Sequence, residues 1–279
     1  MTVAWRARTL GGPGERIAVY ETGSSDRSAP TRLLLHGLGH WTQAAWDRLI
    51  PYLDPGWRIV AFDLPGFGSS DKPDASYDEA FFSRALEQVI AAELPERFAL
   101  AGHSLGGAIA ARYAAAHPER LTHLALLAPA GFLRVKGVVY AALGSPPVQW
   151  ILQRRPSRTF VRRVMNDAVV DPHVIAPEVY ERAYALAEDP TMRRSFARVY
   201  AAAMREFADS KAIAARLRRW TGPTLLAWGR EDRYIPVRAL DDTKVVYPAA
   251  SSAIIERAGH VLMADQPAAV AAALQTFLN

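Results

Sequence analysis

Short hydrophobic runs alternate with longer segments of helical periodicity along most of the chain. The runs typical of strands lie at residues 16–21, 32–36, 58–62, 98–102, 123–127, 224–228 and 253–257. Strands separated by helices favour a mostly parallel sheet with helices on both faces. The pattern therefore predicts a doubly wound α/β fold. We expect the last helix to begin near Pro267 and to bury Val270, Leu274 and Phe277.

The strand pattern is interrupted between residues 131 and 219, where prolines separate helical stretches. The clearest helix is predicted over residues 190–209, with Asp189 as its N-cap and Pro190 in its first turn. The residues of its apolar face are Phe196, Val199, Tyr200, Ala203, Met204 and Phe207. We predict that residues 131–210 form a helical cap inserted into an α/β core of residues 1–130 and 211–279.

A Gly-x-Ser-x-Gly pattern, GHSLG at residues 102–106, lies between a hydrophobic run and an alanine-rich helix. A sharp strand-to-helix turn of this kind holds a serine in a strained conformation and exposes its hydroxyl above the sheet. Gly102 and Gly106 are expected because a side chain two positions from the serine would collide with a neighbouring strand or helix. We predict that Ser104 is a nucleophile. The alternative is that it only caps the helix.

A serine nucleophile needs a base that accepts its proton and an acid that orients the base. The order expected for this fold is serine, acid, histidine. His260 lies in a glycine-containing loop before the last helix and is the predicted base, whereas His173 is expected in a surface turn. Asp232 follows the strand at 224–228 and is the predicted acid, with Glu231 as the alternative. The histidines too close to the serine along the chain to fold back onto it are His103, His117 and His123.

Acyl transfer passes through an oxyanion, which needs two hydrogen-bond donors already in place. The backbone N–H of Leu105, directly after the nucleophile, is the first predicted donor. The loop HGLGH after the strand at 32–36 supplies the second, because Gly37 and Gly39 let its backbone approach closely. We choose the Leu38 N–H as that donor.

The composition excludes several other kinds of chemistry. The sequence contains no cysteine, which excludes disulfides, thiolate chemistry and cysteine-ligated metals. Half of its 279 residues are hydrophobic and 22% are charged, as in an ordinary globular protein. The first residues lack the apolar core of a signal peptide, and no apolar run reaches the roughly 18 residues of a membrane span. We therefore expect a cytoplasmic protein without a transmembrane segment.

The positive charge is concentrated in one part of the sequence. Residues 131–219 have a net charge of +8, whereas the rest of the chain has −3. The interpretation we favour is a solvated, arginine-rich surface. The alternative is a surface that meets an acidic partner or an anionic acyl substrate. The candidate contact residues are Arg154, Arg155, Arg158, Arg162 and Arg163.

Together these motifs resemble the α/β-hydrolase family, in particular its smaller capped serine esterases and lipase-like members. The matching stretches are HGLGHWTQAAW, DLPGFGSSDKP, GHSLGG, LLAPAG, WGREDRYIP and GHVLMADQP. The resemblance implies a Ser–Asp–His triad and a cap that forms a lid over an acyl pocket. No carboxylate–histidine cluster suggests a metal, and GFGSS lacks the lysine of a nucleotide-binding loop. We expect a small-molecule substrate, no cofactor and no nucleic acid.

The function predicted from these residues is cofactor-independent hydrolysis of carboxylic esters through an acyl-enzyme. With the same triad, the alternatives are a carbon–carbon bond hydrolase, a thioesterase or a perhydrolase. A non-catalytic receptor on this scaffold is an alternative of another class. Ser104 argues against the dehalogenases and epoxide hydrolases of the family, which use an aspartate. Carbon–carbon bond hydrolases usually carry a GGGPG-like oxyanion loop and an aromatic residue after the histidine, where this chain has HGLGH and Val261.

Overall fold

The computed structural model describes residues 3–133, 137–208 and 210–279. It has one eight-stranded sheet, in the spatial order β1-β2-β4-β3-β5-β6-β7-β8. The strands are β1 (Arg6–Leu10), β2 (Ile17–Gly23), β3 (Thr31–Leu35), β4 (Arg58–Phe62), β5 (Phe98–His103), β6 (Leu121–Leu127), β7 (Thr224–Gly229) and β8 (Ser251–Ile255). The six strands β4, β3, β5, β6, β7 and β8 pair in parallel with their neighbours. At one edge of the sheet, β2 pairs antiparallel with both β4 and β1.

The α-helices of the described residues follow the strands along the chain. They are α1 (Thr42–Trp46), α2 (Glu79–Glu93), α3 (Leu105–Ala116), α4 (Gly137–Leu143), α5 (Pro146–Leu152), α6 (Arg158–Asp167), α7 (Pro177–Glu188), α8 (Pro190–Phe207), α9 (Ser210–Leu217), α10 (Ala239–Lys244), α11 (Leu262–Asp265) and α12 (Pro267–Leu278). None of the helices in the described ranges is both long and apolar enough to cross a membrane.

This architecture confirms the doubly wound, mostly parallel α/β fold. The residues of β3, β4, β5 and β7 are all buried, because helices cover both faces of the central sheet. The strand order changes direction between β3 and β5, so the loops after these two strands diverge and leave a crevice at their carboxyl ends. Ser104 follows β5 at this crevice.

The prolines of the inserted segment begin helices. Pro146, Pro177 and Pro190 lie in the first turns of α5, α7 and α8. The Asp189 side chain accepts a hydrogen bond from the Thr191 N–H, as expected for the N-cap of α8. The described residues between β6 and β7 thus form six α-helices, α4 to α9, and no strand.

Helix α8 is the centre of the inserted segment. Helices α4, α5 and α7 pack against α8, and α6 packs against α7. The expected boundary at residue 210 falls at the start of α9, which packs against the core helix α3 as well as α8.

Candidate active site

Ser104 lies in a strained turn between β5 and α3. Its backbone angles are φ 53° and ψ −117°, a region that residues other than glycine rarely occupy. Two backbone hydrogen bonds hold the turn: the Ser104 N–H donates to the Leu127 carbonyl at 3.0 Å, and the Ala130 N–H donates to the Ser104 carbonyl at 2.9 Å. The strained conformation expected from the sequence is therefore present.

The two flanking glycines are required by close backbone approach. A Cβ at Gly102 would overlap the Gly106 carbonyl, and a Cβ at Gly106 would overlap the carbonyl oxygens of Leu35 and His36. Helix α3 can therefore start directly above the sheet only if both positions lack a side chain.

The structure brings the three widely separated candidate residues together. The His260 Nε2 atom lies 3.0 Å from the Ser104 Oγ atom, and the His260 Nδ1 atom lies 2.8 Å from the Asp232 Oδ2 atom. A carboxylate can only accept, so Nδ1–H donates to Asp232 and Nε2 accepts from the Ser104 hydroxyl. All three side chains are buried. The order of contacts is that of a nucleophile, a base and an orienting acid.

Backbone amides fix the orientation of Asp232. Its Oδ1 atom accepts hydrogen bonds from the N–H groups of Tyr234 and Ile235, at 2.8 and 2.9 Å, which leaves Oδ2 for His260. Glu231, the alternative acid, instead accepts a hydrogen bond from the Ala258 N–H at 2.9 Å. Glu231 therefore braces the histidine loop, whereas Asp232 contacts the imidazole.

The loop after β3 passes directly beside Ser104. A Cβ at Gly37 would lie 3.0 Å from the Ser104 Cβ atom. The His36 ring donates from Nδ1 to the Gly37 carbonyl at 2.8 Å and accepts at Nε2 from the Leu64 N–H at 2.9 Å. In a trans peptide the carbonyl and the next N–H point in opposite directions. The Leu38 N–H therefore points away from the His36 ring.

His103 is a contact of the site that the sequence reasoning did not assign. Its ring lies 4.8 Å from the His260 ring, and its Nε2 atom donates to the His260 backbone carbonyl at 2.9 Å. Complete burial lowers the pKa of His103 well below its ordinary value. The residue is therefore a neutral hydrogen-bond donor that links the end of β5 to the backbone of the histidine loop.

A second neutral histidine lies in the same cluster. The His40 ring is 5.8 Å from the His103 ring, and burial lowers the pKa of His40 to about 3. His103 and His40 therefore place no positive charge beside His260. The sequence signal that could have indicated this cluster is the presence of His40 at the end of HGLGH and of His103 directly before Ser104 in GHSLG.

The other histidines lie elsewhere. His173 is almost fully exposed and bonds to Asp171, as expected for a surface turn. His117 contacts Glu87 and Glu119 at the end of α3, and His123 packs against Phe277.

One carboxylate ties the histidine loop to the inserted segment. Asp265 accepts hydrogen bonds from the N–H groups of Gly259, Val170 and Asp171, at 2.8, 3.0 and 3.3 Å. The Val261 N–H also donates to the Ala168 carbonyl at 2.9 Å. The chain that leaves α6 is therefore fastened to both residues next to His260.

Access to the serine is narrow. Ser104 is 9% exposed and His260 8% exposed. A Cβ at Gly39 would lie 3.1 Å from the Phe196 ring, so α8 packs onto the loop after β3. The Tyr234 ring lies 5.5 Å from the His260 ring, and the Tyr234 hydroxyl donates to the Val164 carbonyl of α6. Helix α8 thus contacts the loop after β3, and α6 contacts the loop that carries Asp232 and Tyr234.

The fold and this arrangement define a member of the α/β-hydrolase class. The sequence model of the "Alpha/beta hydrolase family" matches residues 33–273, which is most of the chain. The chain belongs to this family.

Two curated relatives are similar over most of both chains. The chain is 29% identical to the 2-hydroxymuconate semialdehyde hydrolase of Pseudomonas sp. (strain CF600), over 88% of this chain and 86% of the relative. It is 30% identical to the 2-hydroxy-6-oxononadienedioate/2-hydroxy-6-oxononatrienedioate hydrolase of Cupriavidus pinatubonensis, over 88% and 84%.

Among solved structures, the chain is similar to a bacterial membrane phospholipase A. The identity is 30% and the TM-score 0.76, over 98% of this chain and 86% of that chain.

Proposed function

We propose that this protein is a serine hydrolase that works through an acyl-enzyme. The proposal rests on the continuous line of hydrogen bonds from Ser104 through His260 to Asp232. His260 takes the Ser104 proton as the Oγ atom bonds to the substrate carbonyl carbon, and Asp232 stabilises the imidazolium that forms. His260 then protonates the leaving group as its bond to the carbonyl carbon breaks. Water releases the acyl group by the same steps.

The oxyanion would be held by the N–H groups of Leu38 and Leu105. Leu105 is the first residue of α3, and the first N–H groups of a helix have no partner within the helix. The Leu38 N–H lies in the same peptide group as the Gly37 carbonyl, and the His36 ring holds that carbonyl by a hydrogen bond. Two fixed donors beside a nucleophile stabilise the charge that develops in acyl transfer.

For the bond that is cleaved, carbon–carbon bond hydrolysis is our first candidate. The two curated relatives carry names of hydrolases for semialdehyde and oxo-dienedioate compounds, and both align over most of their length. The ester hydrolysis expected from the sequence is therefore our second candidate. It is supported by HGLGH and Val261, where the carbon–carbon bond hydrolases usually differ, and by the similarity to a phospholipase A structure.

Further proposals follow from the same family membership. We propose that residues 131–210 act as a lid, supported by the packing of Phe196 against the loop after β3 and by the hydrogen bond from Tyr234 to the Val164 carbonyl. The substrate would then be a small molecule that reaches Ser104 between the inserted helices and the sheet. The cytoplasmic location stays a prediction.

The nucleophile is tested with Ser104→Ala and a matched control, Ser252→Ala, on the exposed part of β8. We expect Ser104→Ala to lower kcat by at least about 10⁴-fold, because triad members act as a unit. A fluorophosphonate probe should label the wild type and the control at Ser104 and leave Ser104→Ala unlabelled. Turnover by folded Ser104→Ala, or labelling at another residue, would contradict the proposal.

The bond is tested with a substrate panel. Loss of the visible absorbance of a vinylogous 1,5-diketone reports carbon–carbon cleavage, and p-nitrophenol release from p-nitrophenyl butyrate reports ester cleavage. We expect the larger kcat/KM for the diketone, with both activities removed by Ser104→Ala. A larger kcat/KM for the ester would reverse the order of the two candidates without affecting the assignment of Ser104.

A further inference from the structure

Helices α4, α5 and α6 carry most of the exposed large hydrophobic side chains in the described part of the chain. Of twelve such side chains, seven lie between residues 137 and 166. They are Val138, Val139, Leu143, Trp150, Ile151, Phe160 and Val164. Clusters of exposed apolar residues on a folded protein mark interaction sites. We call these side chains, together with Arg154, Arg155 and Arg163, the α4–α6 surface.

Helix α6 turns its apolar stripe toward solvent. Arg158 and Arg162 lie over the rings of Tyr184 and Tyr180 on α7, at 5.0 and 4.9 Å. Phe160 and Val164 lie one turn apart on the opposite side of α6, where they are 59% and 41% exposed. A helix on a globular protein ordinarily buries its apolar stripe. The exposed stripe therefore calls for a partner outside the chain.

The same surface is positively charged. The described residues 137–166 contain five Arg and no Lys, Asp or Glu. Arg154 stacks on the Trp150 ring at 3.8 Å, so its charge lies beside an exposed aromatic side chain. The acidic contacts of Arg155, Arg158 and Arg163 come from Glu188, Glu181 and Asp167. These pairs are exposed and contribute little free energy, so the arginines can exchange their carboxylate partners for another anion at little cost.

A lipid surface fits this combination better than a second copy of the chain. A symmetric dimer places one surface against itself, which would bring the arginines of the two copies together. An anionic bilayer takes both features: apolar and tryptophan side chains enter the headgroup boundary, and arginines pair with phosphates. We propose that the α4–α6 surface docks this protein onto an anionic lipid membrane.

The surface adjoins the candidate active site. The Val164 carbonyl accepts a hydrogen bond from the Tyr234 hydroxyl at 2.8 Å, and the Tyr234 ring lies beside His260. A docked molecule would therefore hold the Tyr234 side of the site near the bilayer. The docking itself does not depend on which bond the enzyme cleaves.

The test is cosedimentation of the full chain with vesicles. We expect binding to vesicles of phosphatidylcholine mixed with phosphatidylglycerol, weaker binding to phosphatidylcholine alone, and release at high salt. Trp150→Ala/Phe160→Ala and Arg154→Gln/Arg163→Gln should each weaken binding to the mixed vesicles by roughly tenfold or more. Thermal unfolding checks that both variants are folded.

The matched controls are exposed residues far along the chain from this surface. Tyr52→Ala removes an exposed aromatic ring and Arg84→Gln removes an exposed charge, and both should bind vesicles like the wild type. Equal binding to both vesicle types, absence of binding, or unchanged binding by the two surface variants would overturn the proposal. A dimer in analytical ultracentrifugation that Trp150→Ala/Phe160→Ala dissociates would also overturn it, in favour of a second copy.

Discussion

At the scale of single residues, Ser104 combines a reactive position with a strained backbone. A non-glycine residue in such a region costs about 1–3 kcal/mol, and here backbone hydrogen bonds to Leu127 and from Ala130 hold it in place. The strain places the hydroxyl within hydrogen-bonding distance of His260. Under the proposed role of Ser104 as the nucleophile, stability and function oppose each other at this residue.

This opposition predicts the effect of Ser104→Gly. Glycine adopts positive φ without strain, so we expect the free energy of unfolding to rise by about 1 kcal/mol while activity is lost. Ser104→Ala keeps the strain and should unfold like the wild type. Chemical denaturation of the three proteins measures the difference. Equal stability of Ser104→Gly and Ser104→Ala would show that the turn stores no strain.

His103 contacts the candidate base through the backbone carbonyl of His260, and we expect it to position the imidazole. We expect His103→Leu, which removes the donor to the His260 carbonyl, to lower kcat about tenfold with little change in KM. His103→Gln retains an N–H at similar reach and should recover most of the activity. Steady-state kinetics separates kcat from KM.

The control for this positioning role is His117→Leu, on the exposed end of α3. It should leave both kinetic constants unchanged. If His103→Leu raises KM without lowering kcat, or if His103→Gln fails to recover kcat, the hydrogen bond to the loop does not position the imidazole.

At the scale of elements, the start of α3 depends on a glycine at its second residue. Gly106 touches the carbonyl oxygens at the end of β3, so Gly106→Ala forces α3 away from the sheet. We expect this variant to lose roughly 2–3 kcal/mol of stability, within the range for overpacked sites. Gly12→Ala, where an added Cβ meets no atom within 4 Å, is the matched control. Thermal denaturation compares the two, and equal stabilities would contradict the prediction.

The elements that the sequence predicted best are the buried central ones. Strand β4 was predicted at its observed bounds, because the apolar run of residues 59–62 follows Arg58 directly and all five residues are buried. Strand β8 lies two residues earlier than expected, since four of its five residues lack full burial and the hydrophobic signal there is weak. Strand β1 was missed because RARTL is polar and lies at the edge of the sheet.

At the scale of the whole molecule, three buried histidines make stability depend on pH. Burial lowers the pKa values of His36, His40 and His103, whereas all three have a pKa near 6.5 in an unfolded chain. The unfolded chain therefore binds protons that the folded chain does not. The stabilisation is fully present above about pH 6.5 and is lost as the pH falls toward the folded pKa values.

We expect the free energy of unfolding to fall by about 3 kcal/mol per pH unit between roughly pH 6 and 5, from about 1.4 for each of His40 and His103, with a further fall from His36. Urea denaturation at a series of pH values measures this slope and hence the protons taken up on unfolding. A stability that is flat or rises as the pH falls through this range would show that these histidines are already protonated in the folded protein.

The sequence predicted the members of the candidate triad because each follows a strand. Parallel strands bring their carboxyl ends to one edge, so the order serine, acid, histidine was enough to choose Ser104, Asp232 and His260. It could not assign His103, which was discounted for its closeness to Ser104 although its ring points to the backbone of His260. The outward orientation of α6 also escaped prediction, because periodicity gives a stripe without saying which side faces the core.

The hydrogen bonds from three backbone N–H groups to Asp265 constrain which segments of this protein can be exchanged with those of a relative. The histidine loop and the chain leaving α6 share one carboxylate, so these two stretches are matched to each other. In a chimera that carries the inserted helices of a relative, the His260 imidazole would keep its position only if the grafted segment ended before Ala168. Exchange of the helices before Ala168 leaves the hydrogen bonds to Asp265 intact. The portion from α4 to α6 is therefore the part of the inserted segment that can be replaced without moving the histidine loop.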